Sequence, residues 1–227
     1  MILTITSIIS SMHILNFVDS YFRLRKLRIW DNGNSILKIV LSGTPGVGKH
    51  TIAIILSSLF DKVPIVDINK IILSENLLIS PVSGNHDVDI QKSFDFLSLL
   101  LSKQEYQDSI IVGHLAPYVI DPLLVDLAVI LRRSPYELKK IYEERSYSQT
   151  KISDNMVAEI LGIISYDALK NFEFSKLSEL EIATSILPSL SAQKIVHMYG
   201  DKKQRSFGNI DWLPLIQNDP VMLKFLK

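Results

Sequence analysis

Gly43-Thr44-Pro45-Gly46-Val47-Gly48-Lys49-His50-Thr51 decides the reading of this chain. The stretch follows an apolar, strand-like run at residues 36–41 and opens an amphipathic run at 52–60 with helical spacing. A strand, a glycine-rich turn carrying a lysine and then a helix form a cradle for polyphosphate. Glycines at 43, 46 and 48 let the backbone curl so that successive N–H groups point inward at an anion. The helix beginning near Lys49 adds the positive end of its dipole. Lys49 brings an ammonium on a flexible stem, able to follow β- and γ-phosphates. The spacing G-x-x-x-x-G-K is complete. The next position, ordinarily a serine or threonine, is His50, and the nearest hydroxyl is one residue later, at Thr51. A neutral imidazole can donate to phosphate or ligate a metal, but it does not copy the hydroxyl that coordinates Mg²⁺.

Outward from this loop, strand-like and helix-like segments alternate, the pattern of a parallel α/β sheet. Strands are expected at 36–41, 64–68, 109–112, 127–131 and 182–187. Helices are expected at 51–60, 70–78, 90–102, 135–147, 153–172 (with Ser153 as N-cap) and 191–198. The expected architecture is therefore a five-stranded parallel sheet with helices on both faces. Strand-to-helix turns of such a sheet open on one edge, where ligands bind. That singles out Asp67, Gly113 with His114, and Arg132 with Arg133, where a guanidinium is well placed to meet phosphate.

Composition narrows the classes. The chain has 227 residues, 47% hydrophobic and 21% charged, which is globular and ample for a core. Lys plus Arg and Asp plus Glu both number 24, so the basic excess of a general DNA or RNA binder is lacking. The absence of cysteine removes disulfides, thiolate metal sites and cysteine nucleophiles, and fits a reducing, cytoplasmic setting. Residues 1–18 carry no formal charge, but Ser, Thr, His13 and Asn16 interrupt them, with Arg23, Arg25, Lys26 and Arg28 behind. A helix packed on the domain, or an upstream start with Met12 as the alternative, fits better than a lipid-spanning anchor. The expected organisation is an extension at 1–35, a nucleotide-binding domain at 36–199 and a tail at 200–227.

Four stretches carry a family likeness: 42–51 as the phosphate loop, 110–115 (IIVGHL), 129–133 (VILRR) and 145–160 (RSYSQTKISDNMVAEI). Together they resemble the adenylate kinase isoenzyme 6 family, atypical adenylate kinases that also act as NTPases in small ribosomal subunit maturation. The resemblance implies a P-loop NTPase three-layer sandwich with a short lid, using ATP with Mg²⁺ and phosphorylating AMP. It implies that Gly43, Gly46, Val47, Gly48, Lys49, His50 and Thr51 bind ATP, and that Arg145 reaches the nucleotide from the lid. Lys151 and Asn155 would belong to the closing segment, and His114 would join Lys49 and Arg145 in catalysis. It also suggests a small-subunit ribosomal protein as partner; a monomer is favoured.

Two departures qualify the likeness. The acid that the family carries two residues before the histidine is Val112 here, leaving Asp67 with Thr51 as the expected metal contacts, largely through water, and Asp87 or Asp89 as further contributors. On the AMP side, Asp67 and Lys70 are available, but Leu73 stands where an arginine would fall. Three readings stay open on sequence: a nucleotide kinase, an NTPase with little kinase activity, and an ATP-binding scaffold without turnover.

Overall fold

A computed structural model describes residues 37–79 and 87–226; the extension at 1–35 lies outside the described residues. The strands are β1 (Lys38–Ser42), β2 (Ile65–Asp67), β3 (Ser109–Val112), β4 (Leu127–Arg132) and β5 (Leu177–Glu181). They pair in parallel throughout, in the spatial order β2-β3-β1-β4-β5. Helices follow the strands: α1 (Lys49–Leu59), α2 (Ile68–Ser74), α3 (Ile90–Ser102), α4 (Ala116–Val119), α5 (Pro135–Glu144), α6 (Gln149–Ile160), α7 (Ile163–Asn171) and α8 (Pro188–Gly200). Two short helices, α9 (Leu213–Ile216) and α10 (Pro220–Leu223), lie in the tail.

A parallel sheet covered on both faces demands strands that are apolar throughout, and every residue of β1, β3 and β4 is buried. Alternation along them splits the core in two. Ile39, Leu41, Ile110, Val112, Val129 and Leu131 meet α1, α5, α6 and α8 on one face, where Ile52, Leu56, Leu138, Met156 and Ile195 fill the layer. Val40, Ile111, Ala128 and Ile130 meet α2, α3, α4 and α7 on the other. Trp212, Ile216 and Met222 of the tail are also buried. Among the described residues, no helix is long and apolar enough to cross a membrane.

Two expectations need correction. The fifth strand is Leu177–Glu181, and residues 182–187 run on from it without forming a strand. The sequence Leu-Ser-Glu-Leu-Glu reads as solvated, yet Glu179 is only 5% exposed. Its carboxylate accepts from Arg132 Nη1 at 3.2 Å and from the Ser165 hydroxyl, so a paired acid occupies an interior position. The helix expected at 153–172 is two helices. Gly162, at φ +64°, ends α6 in the left-handed conformation and opens α7. The N-cap of α6 is Ser148, whose hydroxyl accepts from Lys151 N at 3.3 Å; Ser153 lies inside the helix.

Candidate active site at the phosphate loop

The loop leaves β1 along a path open only to glycine. Gly43 has φ +132°, and a Cβ there would stand 2.3 Å from the Leu131 carbonyl oxygen. Tyr142 Oη donates to the Pro45 carbonyl at 2.6 Å and ties the loop to α5. Gly48, again left-handed, delivers the chain into α1 with Lys49 as its first residue.

Lys49 is 7% exposed, and its Nζ donates to the carbonyls of Gly43 at 2.7 Å and Thr44 at 2.9 Å. Burial lowers its pKa to about 8; Glu159 opposes the shift, Arg145 adds to it and Asp67 opposes it. Lys49, Glu159, Arg145 and Asp67 thus lie within electrostatic reach of one another's charge. His114, just beyond β3, joins them: burial, then the Lys49 charge, pushes its pKa down to about 4. At neutral pH it is an uncharged imidazole beside a cation. The sign of the linkage follows. The unfolded chain takes up a proton near pH 6.5 that the folded site refuses until about 4, so stability falls as pH drops through that window and is level above it. The His114→Gln variant should lose that decline, worth at most about 1.4 kcal/mol per pH unit for one proton, in denaturant titrations from pH 4.5 to 7.5.

His50 reaches across to β2. Its Nε2 lies 2.8 Å from Asp67 Oδ2, while Asp67 Oδ1 caps α2 by accepting from Lys70 N at 3.2 Å. Lys70 Nζ is 3.9 Å from the same carboxylate. Asp67 stands opposite Val112 in the β2–β3 register, so an acid one strand over adjoins the position where the resemblance expects one. Asp89 caps α3, accepting from Lys92 N at 3.0 Å, and Asp87 is engaged through its carbonyl, which accepts from Ile79 N at 2.7 Å. Thr51 is exposed on α1. At the end of the loop the donors brought together are therefore one imidazole nitrogen and one carboxylate oxygen. Mg²⁺ prefers an all-oxygen shell, and this pair fits it poorly. Among the described residues no group of three or more His, Asp or Glu side chains gathers to hold a metal by itself.

Arg132 is not turned to the loop's ligand side. It is 3% exposed, with Nε on Glu159 Oε1 at 2.8 Å, Nη2 on the Glu159 carbonyl at 2.7 Å and Nη1 shared by Glu179, Ser165 and the Ile210 carbonyl. Arg133 donates from Nε to the Ile182 carbonyl at 3.1 Å and pairs with Glu137 at 3.4 Å. Both guanidinium groups are held by the fold. Arg145, by contrast, is exposed at the C-terminus of α5, where the resemblance expects a lid to begin. Ser146 turns with φ +53°, Tyr147 stacks on Tyr142 at 5.5 Å, and Lys151 Nζ lies 4.0 Å over the Tyr147 ring. Asn155 Nδ2 is buried with no hydrogen-bond partner among the described residues.

Glu159, absent from the sequence-based site, is the hub. At 1% exposure it accepts from Arg132 Nε, Arg133 N at 3.1 Å, Trp212 Nε1 at 2.9 Å and the Thr44 hydroxyl, which belongs to the phosphate loop. Its signal in the sequence was a lone carboxylate beside the apolar positions Met156 and Ile160.

Comparison with known proteins agrees with this geometry. Residues 39–162, more than half of the chain, match the family model described as an AAA domain. A Methanococcus maripaludis protein named "Putative adenylate kinase" is 28% identical over 188 residues, covering 77% of this chain and 94% of its own. A Saccharolobus solfataricus protein of the same name is 29% identical over 178 residues, covering 77% and 87%. Shikimate kinase from Acinetobacter baumannii, solved with shikimate, superposes with a TM-score of 0.51 at 16% identity over 74% of this chain and 95% of its own, a likeness of fold. With a parallel sheet, a glycine-rich loop between β1 and α1 and a buried loop lysine, this is a P-loop NTPase α/β fold, and the chain belongs to the AAA domain family.

Proposed function

We propose that this protein is a P-loop nucleotide kinase of the adenylate kinase isoenzyme 6 type, moving the γ-phosphate of ATP to AMP. The observation that carries the reading is the cluster around Lys49: a buried ammonium held by two loop carbonyls, an exposed arginine within its electrostatic reach and a neutral histidine at the ligand edge. Archaeal relatives named for adenylate kinase activity over most of their length support it.

Phosphoryl transfer asks for charge placement more than covalent chemistry, because the transition state is loose and its charge spreads over equatorial oxygens. Amides of residues 46–49 would hold the β- and γ-phosphates. Lys49 would exchange the Gly43 and Thr44 carbonyls for phosphate oxygens, an interaction that strengthens as charge develops. Arg145 would swing in with the lid, and closure over Tyr147 and Lys151 would exclude water. His114, uncharged, can orient an acceptor oxygen by hydrogen bonding; an AMP phosphate is already ionised and needs no strong base.

One observation supports a second reading, in which hydrolysis outweighs transfer. Lys70 lies 3.9 Å from Asp67, but Leu73, 68% exposed, stands where the resemblance expects an arginine for the monophosphate. On that second reading ATP hydrolysis would serve a partner among small-subunit ribosomal proteins. The test is a paired assay: ATP with Mg²⁺ or Mn²⁺, with and without AMP, following ADP and free phosphate. AMP-dependent ADP without free phosphate is the expected result. Free phosphate independent of AMP supports the hydrolase, and binding without either product removes both.

A further inference from the structure

We infer that His50 and Asp67, completed by phosphate oxygens of the bound nucleotide, form a site for a first-row transition cation such as Mn²⁺ or Co²⁺ in place of magnesium. This rests on the nucleotide reading of the loop and names the metal that accompanies the nucleotide.

The chain departs from the usual loop at two places, and the two meet. The residue after the loop lysine normally turns a hydroxyl toward the cation; here it is His50. The acid expected on β3 is Val112, wholly buried, and its neighbour in register on β2 is Asp67. The replacement imidazole and the replacement carboxylate lie 2.8 Å apart, Nε2 to Oδ2. Two ligands at right angles around an ion with bonds of about 2.1 Å are separated by about 3 Å. The separation of the two donor atoms thus already matches that of neighbouring ligands, and a cation can replace the shared proton once the side chains turn to face it. Asp67 is held by its cap on α2, so one ligand is already oriented. The His50 side chain is 55% exposed, which gives an ion entry without opening the core.

Ligand chemistry selects the class. Imidazole nitrogen is a borderline donor that suits first-row transition ions, whereas Mg²⁺ seeks oxygen and sheds water reluctantly. Two protein ligands alone make a weak site; phosphate oxygens raise the count, which couples metal binding to the nucleotide. The competing account is a surface hydrogen bond that fastens α1 to β2 and has no ligand.

Pulsed EPR on the full chain with Mn²⁺ and ADP separates the two. The expected result is a nitrogen coupling in the wild type that takes the ¹⁵N pattern when histidine alone is labelled and disappears in His50→Thr. That variant should also lower the ratio of Mn²⁺- to Mg²⁺-supported ADP affinity by roughly tenfold, and Asp67→Asn should lower it in the same direction. Bound Mn²⁺·ADP without histidine nitrogen coupling overturns the inference and leaves the nucleotide site standing. An unchanged affinity ratio in His50→Thr also overturns it. Failure of the folded wild type to bind ADP with either ion strikes the nucleotide reading itself, and the metal site falls with it.

Discussion

Replacing Glu159 by alanine is expected to cost about 3–5 kcal/mol of folding stability, the penalty for leaving a buried cation without its partner. The carboxylate is 1% exposed and accepts from four groups on three segments: Thr44 of the loop, Arg132 and the Arg133 amide at the end of β4, and Trp212 of the tail. Its removal leaves Arg132 with Glu179 at 3.2 Å as the remaining acid and leaves the Trp212 indole N–H without its acceptor. The surviving acid argues for the lower half of that range. Glu159→Gln keeps the volume and an acceptor oxygen but removes the charge, and should lose roughly half as much. Denaturant unfolding followed by circular dichroism measures both, and Trp212 emission should move in step because its polar contact goes. A loss below about 1 kcal/mol for the alanine variant would show that the network does not hold these segments together. Since Thr44 is one of the four, nucleotide affinity should fall in the same variant.

That network also marks the boundary of what the sequence reveals. The loop, the strands β1, β3 and β4 and the helix α3 are written in apolar runs, glycine spacing and helical periodicity, because each is decided by local chemistry. The ion pairs are not. Glu179 on β5 and Glu159 on α6 look solvated until Arg132, distant in sequence, is placed between them. The same fact misplaced β5, and it left both Arg132 and Arg133 as candidate phosphate contacts, since an arginine at a strand end has no local signal saying which way it turns. The break at Gly162 is hidden because Met156, Ile160 and Ile164 follow one helical spacing across it, although the segments on its two sides pack into different core clusters. His50 stands out in the loop and Asp67 as the nearest acid to replace the one missing at Val112; their approach to 2.8 Å needs the third dimension.

Lys49→Met should reduce turnover by at least a hundredfold, about 2.7 kcal/mol of transition-state stabilisation, while leaving the fold as stable as before. The two halves of that expectation have one cause. The ammonium is buried against the Gly43 and Thr44 carbonyls, and burial lowers its pKa to about 8, so its charge is a cost to the resting fold. The folded chain releases this proton near pH 8 and the unfolded chain near 10.5; between them the unfolded state binds more protons. Wild-type stability should therefore rise with pH across that window, and the rise should vanish in Lys49→Met. A phosphate at the loop reverses the balance by favouring the charged form. Nucleotide binding near pH 8 should take up a fraction of a proton, read by calorimetry in buffers of different ionisation enthalpy, and the variant should take up none. A merely structural lysine predicts the opposite pattern, lost stability with binding and proton uptake following it. Should the variant keep turnover within tenfold of the wild type, the glycine-rich loop is not where the reaction happens.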